Sequence, residues 1–191
     1  MAGGRMTLYG GAWHRVSRLP GAALALVAVT LALVIHGPAP ARAEGDAVGL
    51  GPVTRLPLPR YVSLRADKVN ARRGPGLDYR VDWVFQRAGL PVRVVEEYEN
   101  WRRIVDADDT GGWVYHSLLS KRRTALVTAN EAVLRAAPEP DARPRARAER
   151  GVVARLLECV PDWCRIEAER VRGWVRKNEI WGADPDEIFG R

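Results

Sequence analysis

Beyond residue 43 the chain alternates short apolar runs with clusters of turn-forming residues. Runs rich in Val, Ile and Trp, such as "VRVV" and "WRRIV", are separated by "RGPGLD", "RAGLP", "EYEN" and "DADDTGG". Runs of this length bounded by Gly, Pro, Asp and Asn are strand signals, and the clusters between them are turns. No longer stretch sustains a 3.6-residue period, although the composition of residues 142–150 favours a helix. The pattern predicts an all-β protein.

The same pattern occurs twice. "EYENWRRI" (97–104) lies over "CVPDWCRI" (159–166) at an offset of 62. "GWVYHSLL" (112–119) lies over "GWVRKNEI" (173–180) at 61, and "ARRGPGLD" (71–78) over "LRAAPEPD" (134–141) at 63. Offsets that drift by one at loops are those of a diverged tandem duplication. The organisation predicted is a segment 1–43, a linker 44–59, domains at 60–123 and 124–183, and a tail 184–191. About five short strands in roughly 60 residues bury an apolar face best by closing into a small barrel, which also removes exposed edges.

The first copy carries "NARRGPG", then "GLPVRVVEEYENWRRI", then "GWVYHSLLS". This order resembles the bacterial SH3-like domain family, with its N-x-R-x-G-P entry, G-x-P-V strand start, W-x-x-I/V strand and G-W-V closing strand. The second copy departs from it at Ala137, where the first has Gly74, and has no Pro matching Pro91. The resemblance implies two tandem SH3-like barrels. It also implies a non-catalytic module for peptides, cell-wall material or partner proteins of the envelope.

The N-terminus bears on compartment. Arg15 and Arg18 precede an apolar run at 22–35, and "ARA" at 41–43 is a small-x-small cleavage pattern. Fourteen residues fall short of the ~20 that a membrane-spanning helix needs. The expectation is a secretory signal cut before Glu44, leaving no stable membrane anchor, with the periplasm as destination.

Cys159 and Cys164 are the two cysteines of the chain. A four-residue loop, "VPDW", would set Cys159 opposite Cys164 and Leu157 opposite Ile166. The first copy has Glu97 and Arg102 at the cysteine positions, an opposite-charge pair suited to facing positions. Read as an exposed hairpin end, this register predicts contact in both copies, and an oxidising compartment makes the cysteines a disulfide. Neither their spacing nor their neighbours favour a reactive thiol.

Charge changes the picture little. The chain has 30 basic and 23 acidic residues; residues 1–43 hold four Arg and no acid, so the remainder carries 26 − 23 = +3. Basic and acidic positions interleave, which argues against nucleic-acid binding. Catalytic chemistry is sparse. After residue 43 His116 is the one histidine, and its neighbour Ser117, if both lie on a strand, points to the opposite face. An envelope hydrolase is therefore the weakest reading. "DADD" at 106–109 resembles the start of a calcium loop, but its twelfth position is Ser117 rather than Glu, so a solvated turn without metal is expected, and no cofactor.

The aromatics are the better candidates. Trp101 and Trp113 have Trp counterparts at 163 and 174, as a packing role requires. Tyr79, Trp83 and Phe85 have polar, small or basic ones, which suggests that the core does not need them. Residues 60–123 sum to +4 and residues 124–191 to zero. Tyr79, Trp83, Tyr98, Trp101, Trp113 and Tyr115 are thus the candidate ligand-binding residues, in the first copy, for an envelope peptide, peptidoglycan or a protein partner. A scaffold role in an envelope complex is the alternative. The protein taken from an envelope fraction should have an intact mass that begins at Glu44; a full-length mass in the membrane pellet would show a retained anchor instead.

Overall fold

A computed structural model describes residues 49–190; residues 1–43, read above as an export signal, lie outside them. The described chain runs β1 (Gly49–Leu50), β2 (Pro57–Leu58), β3 (Arg60–Leu64), β4 (Val69–Arg72), β5 (Val81–Phe85), β6 (Pro91–Tyr98), β7 (Trp101–Val105), β8 (Gly111–Tyr115) and β9 (Leu119–Ser120). It continues through β10 (Thr124–Val127), β11 (Glu131–Arg135), β12 (Pro144–Glu149), β13 (Val153–Cys159), β14 (Trp163–Ala168), β15 (Val171–Arg176) and β16 (Ile180–Trp181). Single 3-10 turns, His116–Leu118 and Lys177–Glu179, precede the last strand of each copy. The helix-favouring composition at 142–150 yields to pairing, and most of that stretch is β12.

β1 and β2 pair as a ribbon, and the other strands form two sheets of equivalent order, β5-β4-β8-β7-β6-β3-β9 and β12-β11-β15-β14-β13-β10-β16. The protein is all-β, with two tandem SH3-like units. Equivalence extends to individual pairs. Val94 faces Ile104 as Leu156 faces Ile166, and Glu97 faces Arg102 as Cys159 faces Cys164. Each long hairpin shifts register once, at Val95 in one copy and Leu157 in the other. Leu157 therefore does not face Ile166: one extra residue is bulged out, and Leu156 takes the inward place.

The two cores distribute volume differently. In the first, Val69 faces Phe85 and Ala71 faces Trp83; in the second, Ala132 faces Ala148 and Leu134 faces Ala146. Phe85 is buried in the first core. The expectation that no aromatic is needed there fails at Phe85. The second copy manages without one because its cross-strand partners differ, Leu134 replacing Ala71 and so supplying bulk from the facing strand.

The pair that replaces the cystine is buried rather than exposed. Glu97 and Arg102 are 4% and 6% accessible, because residues 51–56, between the two ribbon strands, close over them. The Glu97 carboxylate accepts hydrogen bonds from the Thr54 hydroxyl (2.6 Å), Thr54 N–H (2.8 Å) and Val53 N–H (3.1 Å). It is also ion-paired with Arg60 (2.7 Å) and Arg102 (3.4 Å). A Cβ on Gly51 would collide with this carboxylate, so glycine lets the ribbon approach. The segment read as a linker thus contains an ordered cap. In the second barrel Cys159 and Cys164 form a disulfide (S–S 2.00 Å), and Phe189 bridges Cys159 through paired backbone hydrogen bonds of 2.8 and 3.2 Å. The tail 184–191, over its described part, is packed too.

Three residues separate β9 from β10, and the barrels touch around them. The Thr124 hydroxyl donates to the Gly89 carbonyl (2.8 Å) and Arg87 to that of Gly151 (2.6 Å). Tyr61 meets Trp181 edge-on at 5.0 Å, with the Arg123 guanidinium 5.5 Å from its ring centre. Burial, reinforced by Asp184, pushes the Tyr61 phenol up to about 12.

Burial alone would raise the Glu97 carboxyl, but the Thr54 hydrogen bonds and Arg60 outweigh it and hold it at about 2. Its folded value lies below its unfolded one, so the stabilisation is complete above about pH 4.5 and is lost as pH falls toward 2. Urea unfolding across this window should show a loss of about 3 kcal/mol in the native protein and a flatter profile in Glu97→Gln. Copying the ion pair into the second barrel as Cys159→Glu with Cys164→Arg should destabilise more than Cys159→Ala with Cys164→Ala, which itself costs about 2 kcal/mol. No equivalent of Thr54 is there to receive the carboxylate, so recovery of stability by the graft would overturn this account.

Candidate functional site

Tyr98, Trp101 and Tyr115 are brought together by pairing. Tyr98 faces Trp101 across the β6–β7 hairpin, and Trp101 faces Tyr115 on β8. The Trp101 and Tyr115 rings meet edge-on at 5.6 Å, and the His116 ring lies 5.0 Å from that of Tyr115. The hairpin turn is pinned by Arg102, which donates to the Glu99 and Trp101 carbonyls at 2.8 and 2.6 Å. Trp101 is buried beneath this cluster, while Tyr98 and Tyr115 remain exposed.

Tyr79, Trp83 and Trp113 stand apart from it. The Tyr79 ring lies against the "RGPG" turn, where a Cβ on Gly74 would come within 2.5 Å of it. Arg72 holds this loop by donating to the Leu77 and Tyr79 carbonyls at 3.0 and 2.7 Å. Trp83 meets Phe85 edge-on at 6.4 Å and keeps its other side in solvent. Trp113 is buried, opposite Arg72 on one side and Arg103 on the other. A charged hollow of about 400 Å³ lies beside it, lined by Arg72, Arg73, Arg103, Asp82 and Asp109. Hydrogen bonds from Arg73 and then Arg80 hold the Asp82 carboxyl below the usual range.

The partition of these residues is the informative result. Tyr79, Trp83, Tyr98 and Tyr115, the exposed ones, correspond in the second copy to Ala142, Ala146, Val160 and Arg176. The buried Trp101 and Trp113 correspond to Trp163 and Trp174. Arg176 takes the place of Tyr115 over its own tryptophan, 4.7 Å from the Trp163 ring.

A larger groove, about 530 Å³, was missed by sequence reasoning. Leu56 of the ribbon, Arg60 and Val62 of β3, Arg102, His116 and Lys121 line it. Reading 44–59 as a linker hid the ribbon wall; the signal lay in Gly51 and Thr54, a close-approach residue and a donor ahead of the first strand. His116 and Ser117 sit in a 3-10 turn rather than on a strand and both line this groove, so alternation does not separate them. At the "DADD" turn the Asp106 carboxylate accepts the N–H groups of Asp108 (3.0 Å) and Thr110 (2.9 Å), shaping the β7–β8 hairpin. Among the described residues no cluster of three or more His, Cys, Asp or Glu could hold a metal ion.

Comparison with known proteins gives one family. The family model described as a bacterial SH3 domain matches residues 65–121 and again 128–182. No curated protein matches the chain. Similar solved structures include NlpC2 and NlpC1 from Trichomonas vaginalis, each 12% identical with a TM-score of 0.31, over 64% of this chain and 48% and 45% of theirs. An NLPC/P60 family protein from Bacillus cereus is 13% identical with a TM-score of 0.28, over 63% of this chain and 55% of its own. The chain thus spans about half the length of these structures.

The second copy has alanine at the positions of both Gly74 and Tyr79, so the two should be coupled. Gly74→Ala should destabilise the native protein but be nearly neutral beside Tyr79→Ala, with a coupling of about 1 kcal/mol or more in a thermal-denaturation double-mutant cycle. Additive effects would show that the ring does not rest on this glycine.

Proposed function

Because the chain belongs to the bacterial SH3 domain family, we propose that it is an exported, non-enzymatic binding protein of the bacterial envelope. Its first barrel takes the peptide, cell-wall or protein ligand, and its second is a support. The observation that carries this reading is the partition of the six candidate rings: Trp101 and Trp113, kept as Trp in both copies, are buried, and Tyr79, Trp83, Tyr98 and Tyr115, special to the first, are exposed. Unlike Phe85, these four do not fill the core. Exposed aromatics beside an excess of cations suit the apolar, amide and acidic groups of peptides and wall polymers.

The disulfide fits an exported protein. No helix of the described residues is long and apolar enough to cross a membrane. Among the described residues no Asp or Glu lines the groove beside His116 and Ser117, and no cysteine is free. A scaffold role without wall binding draws support from the fixed junction between the barrels, which would hold two partners at a set spacing.

The test is retention of the mature protein on insoluble peptidoglycan and, separately, its capture of material from an envelope extract. Tyr98→Ala and Tyr115→Ala should weaken retention by about thirtyfold each, with circular dichroism unchanged. Tyr79→Ala and Trp83→Ala report on the second aromatic group in the same way. Trp174→Ala should lower the melting temperature while leaving retention in place. Full retention by a folded Tyr98→Ala, Tyr115→Ala double variant would overturn the assignment of the ligand to the first barrel.

A further inference from the structure

The second barrel already holds a peptide, and it belongs to the same chain. After β16 the segment 183–190 lies along the 3-10 turn of that barrel. Lys177 donates to the Pro185 and Glu187 carbonyls at 2.9 and 2.7 Å. Arg123 grips the Glu187 carboxylate with two hydrogen bonds of 2.6 and 2.9 Å, and its guanidinium lies 5.1 Å from the Phe189 ring centre. Ala183 and Phe189 pack on the second core. Burial by itself would raise the Glu187 carboxyl; Arg123 outweighs it and holds the group below its usual range. This is an acidic peptide with a turn at 184–187, closed by the Glu187 N–H to the Asp184 carbonyl at 3.1 Å, and it is bound by cations, backbone and one aromatic anchor.

By register, Arg123 is the counterpart of Arg60 and Lys177 of His116. In the first barrel these residues line the open 530 Å³ groove. The ribbon covers Glu97 as Phe189 covers Cys159, while the groove beside the ribbon stays open. Arg60, Arg65, Arg102 and Lys121 bring four cations to this groove; Glu97 beneath it pairs with Arg60 and Arg102, and Arg65 and Lys121 stay exposed. Val62 and Leu119 give it an apolar lining. Its chemistry complements "ADPDEIFG", the segment that the sister barrel holds.

We propose that the groove of the first barrel binds an acidic peptide segment of a partner protein, as the second barrel binds residues 183–190. This rests on the reading of the first barrel as the binding one and names its ligand class. Among the described residues the acidic tail is committed to the second barrel by the bonds above, so it does not supply the occupant.

The experiment is calorimetric titration of the mature protein with a synthetic peptide of residues 183–190. One site per chain is expected. The Arg65→Glu, Lys121→Glu double variant should bind about tenfold more weakly, and so should a peptide carrying Glu187→Gln. Arg143→Glu with Arg145→Glu, an equal charge change on the second barrel, should leave affinity as it was. Absence of binding overturns the proposal. So does binding that Arg65→Glu, Lys121→Glu leaves unchanged, which would mean exchange with the tail in the second barrel. Light scattering that shows a dimer dissolved by the same variant would replace the partner protein with a second copy of this chain. If the peptide fails while envelope capture succeeds, the binding function stands and the acidic-peptide class falls.

Discussion

In each barrel the second pair back from the turn of the long bulged hairpin faces inward at a mouth that the strands alone leave open. That pair is Glu97–Arg102 in one copy and Cys159–Cys164 in the other, and the way it is kept from water shapes what surrounds it. An inward carboxylate is costly unless every lone pair is met. The first barrel therefore needs Arg60, the Thr54 hydroxyl and the backbone of the ribbon, and it needs glycine at 51 so that the ribbon can reach. The second barrel replaces ions with a covalent bond that has no charge to solvate. Its cover is simpler, a two-way backbone bridge from Phe189.

This difference explains which parts were legible from the chain alone. Tandem duplication, strand pattern and the facing of Cys159 and Cys164 follow from offsets and turn residues, which are local signals. The bulge at Leu157 left no such signal, because one extra residue shifts inward and outward positions without changing composition. Glu97 and Arg102 looked like surface charges since charge ordinarily marks exposure; their burial depends on a segment some forty residues earlier. Phe85 was hidden for a related reason. Ala148 occupies its place in the second copy, and volume there is shared across a strand pair.

The candidate site was legible in a different sense. Aligning the copies separates positions that the fold demands from positions that it tolerates, without knowledge of any ligand. Trp101 and Trp113 sort with the fold, and Tyr79, Trp83, Tyr98 and Tyr115 with the surface. The groove beside Arg60 and Lys121 escaped this sorting because its cations have no common sequence motif. It becomes visible only when the second barrel shows what lies in its own version.

The short junction between the barrels has its own consequence. With Tyr61 wedged against Trp181 and hydrogen bonds crossing at Gly89 and Gly151, the two modules do not swing on a tether. A polymer or assembly that engages both would lose little orientational freedom on second contact, because the spacing of the two surfaces is set before binding. For any such partner the fixed pair would serve as a ruler, favouring a repeat that matches that spacing.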